Sequence, residues 1–224
     1  MSAKNRVLLT GGSRGIGKAI ANLLHSKGYT VVSPTHDELD LSNRDSVNRY
    51  KTKIKELSIS ILINNAGINP VMSISEFAEE PVAETLQVNL VSPAFLIQSV
   101  WEGFKKQNYG RIVNISSIWS KISKSGRAIY TASKAGINGL TRTLAVEGAP
   151  YNILVNSVCP GYIDTELTRK NNSDEDIFKI ERTIPIGRMG TPEEIAKIVL
   201  FLVSEDNTYI TGQSIIADGG YSII

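Results

Sequence analysis

The stretch Thr10-Gly11-Gly12-Ser13-Arg14-Gly15-Ile16-Gly17 ends a short apolar run, residues 7–10, and opens a helical pattern over residues 16–26. Glycines between a strand and a helix permit a tight turn and let the backbone approach a pyrophosphate closely. The positive end of the helix dipole then faces the phosphate charge. Glycine-rich turns also occur in ordinary flexible loops, but a position after the first strand of an α/β alternation favours nucleotide binding.

Short β-rich apolar runs alternate with longer helical patterns along the chain. This alternation is typical of a parallel sheet with helices on both faces, where ligands bind at the carboxyl ends of the strands. The sequence predicts an α/β fold, a Rossmann-like doubly wound parallel sheet in a single catalytic domain over residues 1–224. The predicted strands are 7–10, 29–33, 59–64, 111–116, 152–158 and 214–217, and the predicted helices are 16–26, 43–57, 82–106, 131–147 and 191–203.

Two segments depart from this alternation. The short apolar run Leu39-Asp40-Leu41 suggests a further, third strand, and only residues 34–38 separate it from the second. Since a parallel crossover normally needs about a dozen residues, we expect a shortened connection between the second and third strands. The polar segment 162–188 is long for a compact domain, and because such insertions often cover a substrate, it is predicted to be a lid.

Composition argues against several other classes of function. The net charge of +2 and the lack of a basic patch predict neither nucleic acid nor a membrane surface as partner. Cys159 is the only cysteine and there are two histidines, so no intramolecular disulfide can form and no metal site is expected. No apolar stretch approaches the roughly 20 residues that span a bilayer, and a reducing cytoplasm is the expected location.

Tyr130 and Lys134 are four residues apart in a predicted helix, so their side chains share one face. An ammonium beside a phenol favours the phenolate and lowers the tyrosine pKa from about 10, which suits general acid/base catalysis. Such a pair on a helix is also commonly a matter of packing and solvation. The spacing alone leaves both interpretations open.

Several separated motifs occur in a characteristic order. They are Thr10-Gly11-Gly12-Ser13-Arg14-Gly15-Ile16-Gly17, Asn64-Asn65-Ala66-Gly67, Asn89, Ser116-Ser117, Tyr130 with Lys134, and Pro160-Gly161. Over essentially its whole length the chain resembles a single-domain short-chain dehydrogenase/reductase. The segment 13–17 and the ending Ala217-Asp218-Gly219-Gly220 are most similar to 3-oxoacyl-[acyl-carrier-protein] reductase-like members.

The resemblance implies an NAD(P)(H)-dependent oxidoreductase that reduces a ketone or oxidises the matching secondary alcohol. Tyr130 would act as general acid/base, and Lys134 would lower its pKa and hold the nicotinamide ribose. Ser117, which lies at the family's spacing from the tyrosine, would hydrogen-bond the reacting oxygen. Asn89 would anchor a water relay from Lys134 to solvent.

The resemblance also implies a set of cofactor contacts. The turn after the first strand would bind the pyrophosphate through Gly11, Ser13, Arg14, Gly15, Ile16 and Gly17. The adenine ribose would be supported by Asn65, Ala66 and Gly67, and the adenine ring would meet Asp40 and Leu41. The nicotinamide and pyrophosphate side would be lined by Pro160, Gly161, Ile163 and Thr165, and Tyr130 and Lys134 would contact the cofactor as well.

The residue at the end of the second strand predicts the cofactor. NAD-preferring members usually carry an acid there for the ribose hydroxyls, but this chain has Thr35. A neutral residue does not repel a 2′-phosphate, and Arg14 can supply the complementary charge. NADP(H) is therefore favoured, while Asp37 or Glu38 leaves NAD(H) as the alternative.

Ile118, Trp119, Arg127 and Tyr162 are expected to face the substrate. The positive charges of Lys121, Lys124 and Arg127 suit a phosphate-bearing or carrier-linked carbonyl compound, although solvated surface explains each of them equally well. The resemblance further implies a homodimer or homotetramer. Two other functions stay open: a nucleotide-sugar-modifying enzyme, which normally carries an added substrate domain, and a non-catalytic dinucleotide sensor, which would not require the whole catalytic set.

Overall fold

The fold is built on one six-stranded sheet with the strand order β2-β1-β3-β4-β5-β6. The computed structural model describes residues 5–170 and 172–224. All neighbouring strands are parallel, and in register Leu8 lies between Val32 and Leu62. The strands are β1 (Arg6–Leu9), β2 (Thr30–Val32), β3 (Ile61–Asn64), β4 (Gly110–Ile115), β5 (Ile153–Pro160) and β6 (Ser214–Ala217). This arrangement confirms the predicted Rossmann-like fold.

Helices cover both faces of the sheet. Those longer than eight residues are α1 (Gly15–Ser26), α2 (Arg44–Glu56), α4 (Ser92–Gln107), α5 (Ala128–Gly148), α7 (Asp174–Arg182) and α8 (Pro192–Val203); α3 (Glu79–Leu86) and α6 (Glu166–Lys170) are shorter. Helices α1 and α8 share one apolar cluster with Ile61 and Ile63, whereas α2 and α4 share another with Leu8 and Leu62. Because side chains alternate across each strand, residues 7–9 of β1 and 61–63 of β3 are covered on both faces of the sheet, which explains why all of them are apolar.

The strand predicted at Leu39-Asp40-Leu41 is wrong. The Leu39 N–H donates to the Thr35 carbonyl at 3.0 Å and the Asp40 N–H donates to the Ser46 hydroxyl at 3.1 Å, so local turns use these backbone donors. Leu39 and Leu41 are apolar because they are buried in the cluster beneath α2. The predicted shortened connection is therefore wrong as well: the third strand is Ile61–Asn64, and the regular crossover helix α2 precedes it.

The helix predicted over residues 82–106 is confirmed in extent, but it is not α-helical throughout. Helix α3 passes into a wide π turn at Gln87–Val91 before α4 begins. Pro93 has no N–H to donate to the carbonyl of Asn89, four residues earlier, so a regular α-helical ladder cannot run through this point. Wide turns of this kind are frequent at functional sites, and this one contains Asn89.

The segment predicted as a lid, residues 162–188, contains two helices, α6 and α7. Ser173 caps α7: the Asp176 N–H donates to the Ser173 hydroxyl at 3.2 Å, and the Ser173 N–H donates back to the Asp176 carboxylate. Ile177, Ile184 and Met189 form a small apolar cluster of their own. The polar sequence is therefore the solvent face of folded structure; closure of this segment over a substrate stays a prediction.

Replacement of Phe104 by Ala tests the packing of α4. Phe104 is fully buried, and a Cβ built on Gly110 would lie 2.3 Å from its ring. We expect the free energy of unfolding to fall by about 3–5 kcal/mol, measured by urea denaturation, because the surrounding side chains cannot refill the space. Phe178→Ala is the matched control, since Phe178 is 59% exposed. Equal midpoints for the two variants would contradict the packing described for α4.

Candidate active site

The glycine-rich turn lies at the carboxyl end of β1. Gly11 and Gly15 have φ angles of +67° and +52°, which favour glycine. A Cβ on Gly17 would lie 2.0 Å from the Gly11 carbonyl oxygen, so no other residue allows α1 to approach the turn. The first turn of α1 carries no acidic residue, and Arg14 at its N-cap makes no side-chain capping bond. The N–H groups at this end are thus suited to bind an anion.

Asn65 fastens the glycine-rich turn to the end of β3. Its Nδ2 donates to the carbonyls of Thr10 and Gly11 at 3.0 and 2.9 Å. The N–H groups of Asn65 and Ala66 donate to the Thr10 hydroxyl at 3.0 and 3.1 Å. The resemblance implied support of the adenine ribose by Asn65, and in the structure its amide hydrogens hold the turn itself.

The loop after β5 crosses to the same turn. The Thr165 methyl group lies 3.5 Å from where a Cβ on Gly15 would be, which places Thr165 beside the expected pyrophosphate position. Gly161 is held by its N–H bond to the Ala217 carbonyl at 2.9 Å. The Ile163 side chain is buried in the cluster with α8, so only its backbone is available to a cofactor.

Lys134 and Asn89 meet at Gly67, the residue after Ala66. A Cβ on Gly67 would lie 3.0 Å from Asn89 Oδ1 and 3.4 Å from Lys134 Nζ. Asn89 accepts from the Ile68 N–H at 2.9 Å and donates to the Ile68 carbonyl at 2.8 Å and to the Ser133 hydroxyl at 3.1 Å. The wide turn of the interrupted helix therefore fixes the loop after β3 against α5.

Tyr130 and Lys134 lie one turn apart on α5, with Lys134 Nζ 5.7 Å from the centre of the Tyr130 ring. Lys134 is 4% exposed, and Nζ donates to the Ile115 carbonyl at the end of β4 at 2.8 Å. Burial lowers the pKa of Lys134 to about 8. The structure thus holds an ammonium group inside the protein, against the last carbonyl of a central strand.

Burial raises the pKa of Tyr130 above its usual value of 10.0, and a hydrogen bond with Ser117 and the charge of Arg127 oppose that rise. The prediction that this pKa is lowered is therefore wrong for the chain alone, because loss of water around the phenol outweighs the effects of Ser117 and Arg127. The phenol is protonated at neutral pH. It is suited to give a proton rather than to take one.

Ser117, not Ser116, shares the site with Tyr130. The Ser117 hydroxyl is near enough to Tyr130 to lower the pKa of the phenol, and it accepts from the Trp119 N–H at 3.2 Å. The Ser116 hydroxyl instead donates to the Lys134 carbonyl at 3.1 Å and ties β4 to α5. The structure thus brings together all four residues that were predicted to be catalytic, Ser117, Tyr130, Lys134 and Asn89.

An acid does lie at the end of β2, although it is not the next residue in sequence. The Thr35 N–H donates to Glu38 Oε2 at 3.0 Å, and Lys53 Nζ lies 3.3 Å from Glu38 Oε1. The backbone bond from Thr35 lowers the pKa of Glu38, and Lys53 adds to the effect. Asp40 accepts from the N–H and hydroxyl of Ser42, whereas the Leu41 side chain is in the core rather than open to an adenine ring.

Three aromatic rings pack edge to face on the expected substrate side. The ring centres of Trp119, Tyr162 and Tyr221 are 5.3–6.3 Å apart. The sequence does not indicate the role of Tyr221, because no neighbouring residue predicts its contacts with Trp119 and Tyr162, which are distant in the chain. The expectation that Ile118 faces the substrate is wrong, because this side chain is 1% exposed and belongs to the interior.

Within the described part of the chain no helix has the length and apolarity needed to span a membrane, and no cluster of side chains has the composition of a metal site.

Comparisons with known proteins agree with this geometry. A family model described as enoyl-(acyl carrier protein) reductase matches residues 35–222. A 3-oxoacyl-[acyl-carrier-protein] reductase of Aquifex aeolicus is 39% identical over 237 residues, with 95% of each chain covered. An acetoacetyl-CoA reductase of Rhizobium meliloti is 38% identical over 232 residues, covering 95% of this chain and 96% of that one.

Two solved structures match nearly the whole fold. 4-Hydroxyisoleucine dehydrogenase complexed with NADH has a TM-score of 0.91 at 29% identity. ElxO with NADP bound has a TM-score of 0.90 at 30% identity. Each comparison covers 97% of this chain and 98% of the other.

The family model spans most of the chain, and the relatives extend over nearly all of it. The strand order, the glycine-rich turn and the cluster around Tyr130 agree with the resemblance first seen in the motifs. The chain belongs to the short-chain dehydrogenase/reductase family and is an NAD(P)(H)-dependent oxidoreductase that interconverts a ketone and the matching secondary alcohol.

Proposed function

We propose that this chain reduces the 3-oxo group of an acyl thioester with NADPH, and that Tyr130 donates the proton. The observation that carries the proposal is the placement of the Tyr130 phenol beside Ser117 and one helical turn from Lys134, at the carboxyl edge of the sheet. A proton donor placed there serves a carbonyl oxygen that gains negative charge. The two curated relatives, by their names, both act on 3-oxoacyl thioesters, which supports the choice of substrate.

The residues of the glycine-rich turn fit a dinucleotide. The N–H groups at the start of α1 face no acid in the first helical turn, and the methyl group of Thr165 closes the turn from the side. Ser13, Gly15 and Ile16 would hold the pyrophosphate. Lys134 would hold the nicotinamide ribose, and Ala66 and Gly67 the adenine ribose.

Proton transfer follows from the placement of three side chains. When bound, NADPH supplies the hydride for the carbonyl carbon. Tyr130 gives its proton to the carbonyl oxygen, and the Ser117 hydroxyl donates a hydrogen bond to the same oxygen and stabilises its developing charge. Lys134, which keeps its proton at pH 7 because its pKa is about 8, returns a proton to the tyrosine. Asn89 holds the loop after β3 so that solvent can reach Lys134.

The entrance to the site favours a substrate with a charged carrier. Lys121 and Lys124 are exposed, and Arg127 is fixed by its bond to Asn69 Oδ1 at 2.6 Å. Phosphate groups on coenzyme A or on a carrier protein complement these charges. Segment 162–188 would close over the acyl group. We further propose a cytoplasmic homodimer or homotetramer.

The first test measures the reduction of 3-oxobutanoyl-CoA, with trans-2-butenoyl-CoA as the alternative substrate. Tyr130→Phe should lower kcat by about 10²–10⁴-fold, because general acid catalysis contributes that much, while NADPH binding is unchanged. Tyr50→Phe is the matched control, since Tyr50 also has a buried hydroxyl but lies on α2, in the apolar cluster around Leu8. Full activity in Tyr130→Phe, or reduction of the butenoyl thioester alone, would contradict the proposal.

The choice between NADPH and NADH depends on opposite charges at the start of α1 and after the end of β2. Arg14 precedes α1 and suits a 2′-phosphate, whereas the Glu38 carboxylate at Thr35 would repel it. Lys53 lies 3.3 Å from Glu38 and offsets part of that charge. We propose that the charges of Arg14 and Lys53 outweigh that of Glu38, so that NADPH binds more tightly. Of the two similar solved structures, one holds NADH and the other NADP, so the fold by itself does not decide the cofactor.

Binding of the two cofactors tests this balance. Arg14→Ala should weaken NADPH binding about tenfold more than NADH binding, because a charge-assisted bond to the phosphate is lost. Glu38→Gln should strengthen NADPH binding, and Arg49→Ala, an exposed change on α2, should alter neither. The measurement is the fluorescence of bound nicotinamide. Tighter binding of NADH to the unaltered protein, weakened by Glu38→Gln, would reverse the cofactor assignment.

We expect the buried ammonium of Lys134 to lower the free energy of unfolding of the cofactor-free protein. Its folded pKa of about 8 lies below the ordinary 10.5, so the unfolded chain binds more protons between these values and stability rises with pH there. Below pH 8 the full cost of the buried charge is present, about 3 kcal/mol for this shift. The hydrogen bond to the Ile115 carbonyl offsets about 1 kcal/mol of this free-energy cost.

Lys134→Met should therefore be more stable than the unaltered protein at pH 7, by about 2 kcal/mol, and inactive. The difference should shrink as the pH rises from 8 toward 10.5. Urea denaturation at pH 7 and pH 10, without cofactor, measures both quantities. A variant that is less stable by the same amount at both pH values would show that Lys134 does not carry a buried charge.

A further inference from the structure

The active-site face of α5 continues past Lys134. Tyr130, Lys134 and Asn138 are spaced four residues apart, so their side chains lie along one side of the helix. Asn138 is 2% exposed, and it has no place in the proton transfer described above.

A chain of hydrogen bonds joins Asn138 to Ser117. Asn138 Nδ2 donates to the Ser120 hydroxyl at 2.8 Å, and the Ser120 hydroxyl donates to the Ser117 carbonyl at 2.6 Å. A hydroxyl has a single hydrogen, which Ser120 gives to Ser117, so Asn138 must present its NH₂ group to Ser120. Its second amide hydrogen faces Cys159 Sγ at 3.7 Å.

These bonds fix the turn that carries Ser117. The turn is a 3₁₀ helix at Ile118–Ser120, and the Ser117 hydroxyl accepts from the Trp119 N–H at its start. The hydroxyl and the carbonyl of Ser117 are thus both bound to this turn, at its two ends. Through Ser120, Asn138 links the turn to the helix on which Tyr130 lies.

Packing alone does not explain an asparagine at this position. Asn138 Oδ1 is buried and has no hydrogen-bond partner in the part of the chain that the structure describes. A buried amide oxygen without a partner is unfavourable, and an apolar side chain would avoid that cost. The NH₂ group is therefore the reason for an amide here.

We propose that Asn138 is a positioning residue, which sets the distance between the Ser117 hydroxyl and the Tyr130 phenol by holding Ser120. The inference rests on the proposed function, because both hydroxyls must reach the same substrate oxygen. Displacement of a catalytic group by about 1 Å costs up to about 100-fold in rate. Asn138 itself touches neither substrate nor cofactor.

A double-mutant cycle tests the proposal with 3-oxobutanoyl-CoA and NADPH. Asn138→Ala should lower kcat by about 10–100-fold, with KM and NADPH binding within about twofold. In a Ser117→Ala background the same change should lower kcat by at most about twofold, since there is no hydroxyl left to position. Ser120→Ala should reproduce the effect, which keeps the test open if Asn138→Ala does not fold.

Asn156→Ala is the matched control. Asn156 is equally buried and is bonded to Ile210 and Gln213 on the edge of the sheet, away from Ser117. It should lower the midpoint of urea denaturation and leave kcat unchanged. An equal fall in kcat for Asn138→Ala in both backgrounds, or no fall in either, would overturn the proposal. If the unaltered protein does not reduce the thioester, the proposed function fails instead. Because the chain has eight tyrosines, the titration of Tyr130 is then measured as the difference in ultraviolet absorbance between each protein and its Tyr130→Phe counterpart. An upward shift in Asn138→Ala and not in Asn156→Ala still tests the positioning.

Discussion

The bond from the Lys134 ammonium to the Ile115 carbonyl is the constraint on which the rest of the site depends. A charged group that is 4% exposed needs fixed dipoles around it, and the end of β4 supplies one. Gly67 has no side chain where Asn89 and Lys134 approach each other. The buried charge thus lowers the stability of the fold but places an ammonium group in the active site, and such a loss of stability is common where a residue serves activity.

Features set by neighbours in the chain could be predicted from the sequence. The glycine-rich turn, the apolar runs of the central strands and the Tyr130–Lys134 spacing each depend on residues a few positions apart, and the structure has them where they were expected. The strand predicted at Leu39 and Leu41 was wrong because alternate apolar residues fit both a strand and a turn buried beneath a helix. Hydrophobic pattern alone does not separate these two cases.

Features that join distant parts of the chain could not be predicted. Tyr221 meets Trp119 and Tyr162 only because the chain returns across the end of the sheet. The raised pKa of Tyr130 follows from burial, which periodicity does not measure. Asn138 was unremarked for the same reason, since its importance lies in a bond to a serine in another element.

The wide turn at Gln87–Val91 has a consequence for the helix as a whole. An α-helix advances about 100° per residue, so one additional residue in a turn rotates everything before it relative to everything after it. Helix α3 packs against α5 and α4 packs against α2, two different directions for one continuous stretch of helix. Loss of a single residue here would therefore rotate the whole of α3 by about 100° relative to α4, and away from its contact with α5.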